Sequence, residues 1–105
     1  MSGLYLPAMA VATSLGTGPA ATAARLFDGW SGGLRPWGAF RGPVGALADE
    51  PPPLPAAHQG WDCRNNRLLA VLADGVAPAV AAAARRFGRG RIAVVVGTST
   101  AGIAE

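Results

Sequence analysis

The sequence contains one cysteine, one histidine and no lysine. A single cysteine, Cys63, excludes a disulfide framework and a Cys-rich zinc site, so nothing in the chain requires an oxidising compartment. The histidine, His58, lies five residues before Cys63, and no further ligands follow at metal-binding spacing. The sequence therefore predicts neither a metal site nor a cofactor site.

Charge is also scarce, since charged residues make up 14% of the 105 residues whereas hydrophobic residues make up 50%. All nine basic residues are arginines, and with six acidic residues they leave a net charge of +3 that is spread too thinly for a nucleic-acid footprint. The chain is too apolar for a disordered tail, and its 15 glycines and 9 prolines exclude a helical bundle. One domain at most is expected, burying about two-thirds of its unfolded surface.

Neither a targeting segment nor a membrane span is expected. Residues 1–15 are apolar, but the first charged residue is Arg25, so the basic start of a signal peptide is missing. Residues 68–84 are apolar, yet they are shorter than a bilayer span and include Asp74, Gly75 and Pro78. We therefore predict a cytoplasmic protein without a membrane span.

The first part of the chain has the pattern of a strand, a turn and a helix. An apolar run at residues 4–12 predicts a buried strand, and the turn-forming residues 13–18 follow it. Pro19 suits a first helical turn, residues 20–27 favour a helix, and Gly29 can end it.

Glycine and proline interrupt residues 30–61 every few positions, which predicts a Gly/Pro-rich loop of roughly thirty residues. Its proline run, residues 51–55, favours an extended polyproline II conformation. We expect the three tryptophans in this segment, Trp30, Trp37 and Trp61, to be buried in a core or an interface.

Helical periodicity returns after residue 64. Apolar residues three or four positions apart form one stripe of a predicted helix, and Asp62, Asn65 and Asn66 are expected to cap its start. Pro78 within the stripe predicts a kink near Val76, or two short helices in near-continuation. The stripe consists of Leu69, Leu72, Val76, Val80, Ala83 and Phe87.

Gly88 can supply the C-cap of this helix, with Arg85 and Arg86 in its last turn. The apolar, β-branched residues 91–96 then predict a central strand of a parallel sheet. The predicted fold is thus α/β, in the order β-α-loop-α-β. Because two such strands leave sheet edges unpaired, we expect a fragment, or a subunit that another chain completes.

The densest polar cluster, residues 62–67, invites a search for catalytic chemistry. A reactive Cys63 thiol would need a nearby base, and His58 lies in the proline-rich loop. We favour a packing role for Cys63, with Arg64 and Arg67 paired with acids or with another subunit.

Two further motifs carry weaker signals. The run Gly-Thr-Ser-Thr-Ala-Gly at residues 97–102 lacks the Gly-Lys-Ser/Thr ending of a P-loop, which favours a strand-end turn over a phosphate site. Residues 85–91 are rich in arginine and glycine, so a weak, salt-sensitive nucleic-acid binder is an alternative to helix capping.

Taken in order, the motifs resemble the N-terminal part of a β-ketoacyl-acyl-carrier-protein synthase. The similarity runs from about Leu4 to Glu105, and the later motifs are most similar to a bacterial branch that includes enzymes of polyene-type pigment clusters. The motifs are the strand and turn up to residue 18, the helix end with Ser-Gly at residues 26–32, the helix start at residues 63–68, and residues 91–103.

This resemblance implies a thiolase-like fold, of which the 105 residues form an incomplete half, and a dimer with itself or with a related synthase chain. The family extends acyl chains by decarboxylative Claisen condensation in fatty acid, polyketide or aryl-polyene-type biosynthesis, with acyl carrier protein as partner. Its nucleophilic cysteine and two histidines match no position here, because the nucleophile follows the segment that residues 97–102 resemble. No catalytic residue is therefore assigned, and this chain is expected to be inactive alone.

A second hypothesis from a different class is kept beside it. The chain could be a non-catalytic, chain-length-factor-like or other interaction partner of a complete synthase. Cooperative unfolding of the isolated chain would favour this hypothesis.

Overall fold

The computed structural model describes residues 3–97, and the chain divides into two compact units. The central unit is Met9–Glu50, and the flanking unit combines Met1–Ala8 with Pro51–Glu105. Each unit is described by itself below.

The central unit begins with a short antiparallel hairpin. Strands β1 (Ala12–Thr13) and β2 (Gly16–Thr17) pair across a two-residue turn, and the Leu15 amide donates a hydrogen bond of 3.1 Å to the Thr13 hydroxyl. Gly16 has a φ of 145°, which favours glycine over residues with a side chain. The predicted turn at residues 13–18 is thus a hairpin turn.

Helix α1 (Pro19–Phe27) follows directly and confirms the helix predicted at residues 20–27. Pro19 lies in the first turn, where a backbone N–H would have no partner within the helix, so its absence costs no hydrogen bond. Gly29, with a φ of 66°, follows the helix end as expected.

A second hairpin lies within the segment predicted to be a loop. Strands β3 (Leu34–Trp37) and β4 (Phe40–Gly45) pair in an antiparallel arrangement, with Pro36 opposite Pro43 and a register shift after Pro36. Proline is tolerated because each strand of a two-stranded sheet keeps one edge free of ladder bonds. The prediction of an irregular loop throughout residues 30–61 was therefore wrong for this part.

The flanking unit is built around one long helix, α2 (Arg64–Phe87), preceded by a 3₁₀ helix at Ala56–Trp61 and followed by another at Arg89–Arg91. The predicted helix is confirmed as a single element that includes Pro78, so the alternative of two short helices was wrong. Gly88 ends α2 with a φ of 86°, and its amide donates to the Ala84 carbonyl.

The parallel strands expected at residues 4–12 and 91–96 are not seen, because both sheets in the described part of the chain are antiparallel. Only Ala12 of the first segment joins a ladder, and Arg91 ends a 3₁₀ helix. Residues 92–97 have no strand partner within the described residues. A strand is held by backbone hydrogen bonds to a neighbour, and neither segment meets a parallel neighbour within the described residues.

No hydrophobic side chain among the described residues is buried. The buried residues in this part of the chain are Gly16, Gly33 and Pro51, none of which has a large side chain. The expected buried strand at residues 4–12 is instead exposed at Leu4, and Val95 is 93% exposed. Apolar surface in both units is thus available for contact with another surface.

By length and composition alone, α2 is also apolar enough to cross a membrane. An 18-residue window of it reaches a mean hydropathy of 1.6, and none of that window is buried. The absence of a membrane span remains a prediction.

Candidate functional site

The polar cluster predicted at residues 62–67 lies in the flanking unit, where helix α2 begins. The 3₁₀ helix Ala56–Trp61 leads into Asp62, whose extended backbone turns the chain into α2. The Asn66 amide group donates a hydrogen bond of 2.7 Å to the Trp61 carbonyl, which fixes this junction.

Asp62 is the centre of the cluster. Its Oδ1 accepts hydrogen bonds from the Leu54 amide at 3.0 Å and from Nε of Arg67 at 2.7 Å. Its Oδ2 accepts a second hydrogen bond from the Arg67 guanidinium at 2.7 Å, so the pair is bidentate. We call this arrangement of Leu54, Asp62 and Arg67 the Asp62 clasp. It ties the end of the proline run to the first turn of α2.

The clasp confirms that Arg67 pairs with an acid, but it corrects the predicted helix cap. The N-cap residue is Cys63, and its side chain makes no capping hydrogen bond. Asp62 lies one residue too early to cap, and its oxygens are occupied by Arg67 and Leu54. Asn65 and Asn66 lie inside the helix, after the N-cap position, so they do not cap it.

The two Arg67 hydrogen bonds, followed by that of the Leu54 amide, lower the pKa of the Asp62 carboxyl group from its ordinary value near 3.8 to about 2. A carboxyl group with a lowered pKa in the folded state stabilises that state above the unfolded pKa. This stabilisation is lost as the pH falls from about 4 through about 2.

The clasp can be tested by NMR titration of the Leu54 amide proton. Its chemical shift is expected to change with an apparent pKa of about 2, because its acceptor is the Asp62 carboxylate. Asp62→Asn should abolish this titration and increase the exchange rate of the amide several-fold. Asp74→Asn, at an exposed position of α2, should leave both unchanged. A Leu54 titration that survives in Asp62→Asn would contradict the clasp.

The structure does not show Cys63 and His58 in a catalytic arrangement. Cys63 is half-buried at the helix start, and His58 is exposed in the 3₁₀ helix, with its backbone amide donating to Pro55. Among residues 3–97, no group of three or more His, Cys, Asp or Glu side chains is placed to hold a metal ion.

Arg25 has a structural role that the sequence did not indicate. Its guanidinium donates a hydrogen bond of 2.7 Å to the Leu15 carbonyl and stacks over the Trp30 ring at 4.4 Å. No local sequence pattern links an arginine to a turn ten residues earlier, so this contact between Arg25 and Leu15 is seen only in the folded central unit. Trp30 is thus partly covered by a cation rather than buried in a core, and Trp61 is 75% exposed. Neither Trp30 nor Trp61 is buried in a core of the described residues, and burial in an interface stays a prediction.

Two shallow grooves lie along α2 within the flanking unit. The first, of about 250 Å³, begins at Asn65 and is lined mainly by leucines of the first turns and by Val96. The second, of about 180 Å³, lies beside Val80 and Ile92. Of the predicted glycine-rich motif at residues 97–102, the described part of the chain includes Gly97 only, and the remaining five positions lie outside it.

No family model matches this chain, and neither a curated protein nor a solved structure is detectably similar to it.

Proposed function

We propose that this chain is a part of a β-ketoacyl-acyl-carrier-protein synthase, a condensing enzyme, and has no catalytic activity by itself. The ordered motifs of the sequence support this function, and two of them lie where helices α1 and α2 form. The fold class of a thiolase-like half remains part of this proposal.

The observation that carries the proposal furthest is the exposure of α2. This 24-residue helix has no buried residue, although an apolar stripe runs along it. Leu69 and Val80 on the stripe are both about half exposed. Burial of the remaining half of each side chain by another surface would contribute roughly half of the 1.5–3 kcal/mol that full burial of such a side chain is worth, or about 1 kcal/mol. An internal helix of a larger α/β enzyme has this composition.

The segment after α2 supports the same interpretation. Ile92 has an extended backbone, and Val94, Val95 and Val96 are 84%, 93% and 63% exposed. Because successive strand residues point to opposite faces, three exposed valines in a row need cover on both sides. A parallel sheet with helices on both faces would provide it.

In the proposed whole enzyme, a cysteine thiolate attacks the acyl thioester of the carrier protein, and the carrier thiol leaves. Malonyl-carrier protein then loses carbon dioxide, and the resulting enolate attacks the acyl-cysteine carbonyl. The cysteine thiolate leaves, and 3-oxoacyl-carrier protein is released. Cys63 takes no part in these steps, since it is matched to a different motif and no base accompanies it.

The chain is therefore expected to form no product when it is mixed with acyl- and malonyl-carrier proteins. The measurement is mass spectrometry of 3-oxoacyl-carrier protein, and Cys63→Ala should give the same null result. Turnover that Cys63→Ala abolishes would overturn the assignment of Cys63 as a packing residue and the proposed inactivity.

A positive test is to read the coding DNA past Glu105. The proposal requires an open frame that encodes a cysteine turn followed by two histidine motifs. A frame that continues without them would exclude the condensing enzyme.

The alternative is a non-catalytic, chain-length-factor-like partner of a complete synthase. The same exposed apolar surfaces favour it, since such a partner also buries them against another chain. It predicts that the chain co-purifies with a synthase and restores no activity when that synthase's own cysteine is removed.

A further inference from the structure

The proline run at residues 51–55 belongs to no helix or strand, and its backbone fits a polyproline II helix. Three of its residues precede a proline, which restricts each of them to the extended region. Pro55 has a φ of −52° and a ψ of 151°, close to the polyproline II values. Pro53 is the one position of the run that neither argument covers.

The burial of these residues repeats every three positions, which is the period of a polyproline II helix. Pro51 is buried and Leu54 is half-buried, so one edge of the helix is covered by the rest of the chain. Pro52, Pro53 and Pro55 are exposed, and they make up the other two edges. At about 3.1 Å per residue, Pro52 and Pro55 are about 9 Å apart along one edge. We call these three exposed residues the proline ridge.

The Asp62 clasp fixes the joint that the prolines leave free. The peptide plane between Pro53 and Leu54 can rotate, because a leucine places no restriction on the residue before it. The Leu54 N–H belongs to that plane, and it donates to Oδ1 of Asp62 at 3.0 Å. Arg67 holds the same carboxylate with two hydrogen bonds of 2.7 Å. The ridge is therefore ordered before it meets a partner, which lowers the entropy cost of binding.

The backbone of the run determines what a partner must offer. Proline has no N–H, and the Leu54 N–H is already bonded to Asp62, so the run presents carbonyl acceptors and no free N–H donor. A partner therefore has to donate hydrogen bonds and to pack on pyrrolidine rings. Tryptophan and tyrosine side chains do both, and grooves lined by aromatic side chains bind polyproline II segments in SH3 and WW domains.

The charges beside the run separate these two kinds of groove. An SH3 ligand has a basic residue next to its prolines, whereas Asp49 and Glu50 are acidic. Residues 49–55 include no cation, so phosphates of a nucleic acid or of a lipid surface have nothing to pair with there. An aromatic groove that requires no basic residue fits the ridge better.

We propose that the proline ridge is a docking motif for a WW-type aromatic groove of another polypeptide, and that the Asp62 clasp holds it ready to bind. The exposed proline rings pack on aromatic side chains of the partner, and an indole N–H of the partner donates to a carbonyl of the run. This docking does not depend on a condensing activity.

The probe is an isotope-labelled WW domain that is titrated with the unlabelled full chain and observed by NMR. The indole N–H signal of its groove tryptophan is expected to shift until it saturates, because that group donates to the ridge. An SH3 domain should show no such shift. The double variant Pro52→Ala, Pro55→Ala should abolish the shift of the WW domain. Pro43→Ala, at an exposed proline of β4, is the matched control and should leave it unchanged.

Asp62→Ala tests the role of the clasp. It should weaken binding by about fivefold or more, because a further backbone joint must be ordered on binding, yet leave the shift at saturation unchanged. Leu54→Pro in the Asp62→Ala background should restore the affinity, since proline fixes the same joint without the hydrogen bond. Asp74→Ala, at an exposed position of α2, should change nothing. Damage to the start of α2 would not be repaired by Leu54→Pro, so the rescue distinguishes ordering of the ridge from loss of structure.

Three outcomes would overturn the proposal. A WW domain that shows no saturating shift, or one that the double variant leaves intact, would show that the ridge is not a docking motif. Binding to the SH3 domain without binding to the WW domain would show a groove of the other kind. An Asp62→Ala chain that binds as tightly as the unchanged chain would show that the clasp does not prepare the ridge. Because none of these readouts measures condensation, they fail or succeed independently of the proposed function.

Discussion

In isolation, the chain is expected to bind the dye ANS strongly and to unfold over a broad, non-cooperative thermal transition. A sharp transition requires an apolar core that is lost as a whole. None of the described hydrophobic side chains is buried, and Val95 and Leu6 are each about nine-tenths exposed. The helices and hairpins therefore lack the shared packing that couples their unfolding.

Calorimetry and ANS fluorescence measure this directly, and Val95→Asp is the informative variant. In the isolated chain the substitution should leave the transition unchanged, because residue 95 is in contact with solvent. Within the proposed enzyme the same carboxylate would be buried without a partner, which would cost several kcal/mol and reduce soluble protein sharply.

The same experiment separates the two functional hypotheses. A calorimetric enthalpy equal to the van't Hoff enthalpy would show a self-sufficient small protein, which favours the non-catalytic partner. A broad transition that sharpens when a synthase chain is added would favour a surface that is completed by that chain. Both results measure the unfolding of the chain and do not depend on catalysis.

The helices were predictable because their signals are local. Pro19, the apolar stripe that ends at Phe87, and Gly88 define the helix bounds from neighbouring residues alone. The exact N-cap was not predictable in this way. Asp62 is a good capping residue by type, but it pairs with Arg67 five positions later, which places Cys63 at the cap.

The second hairpin was missed for a physical reason. Pro36 and Pro43 argue against a strand when each is considered separately, since each removes a ladder donor. Their positions opposite each other become acceptable only once the register is known. The parallel strands are the reverse case. Residues 91–96 have a strong strand composition, yet composition cannot supply the neighbour that a strand needs.

The sequence predicted which residues cluster at the candidate site, but not the hydrogen bonds between them. The sequence placed Asp62, Arg64 and Arg67 together and indicated ion pairing. It did not indicate the Leu54 amide, which reaches Asp62 from the proline run, eight residues earlier.

The central unit depends on a close approach between its two hairpins, and Gly33→Ala is expected to disrupt it. A Cβ atom at residue 33 would overlap the carbonyl group of Ser14, which is backbone and cannot turn away. Overpacking of this kind costs about 1–3 kcal/mol. Alanine also restricts the unfolded chain, but that effect is worth only about 0.4–1 kcal/mol in the opposite direction.

The steric term is therefore expected to win, and the population of the hairpin β3–β4 should fall relative to open forms, by about tenfold at the middle of the range that these two terms leave. The measurement is the cross-strand NOE between Arg35 and Val44, together with exchange of the Ala46 amide, which donates to the Gly33 carbonyl at 3.0 Å. Gly60→Ala is the matched control, because a Cβ there meets no atom within 4 Å. If Gly33→Ala kept the NOE and the slow exchange while Gly60→Ala did the same, the contact between Ser14 and Gly33 would not hold the central unit together.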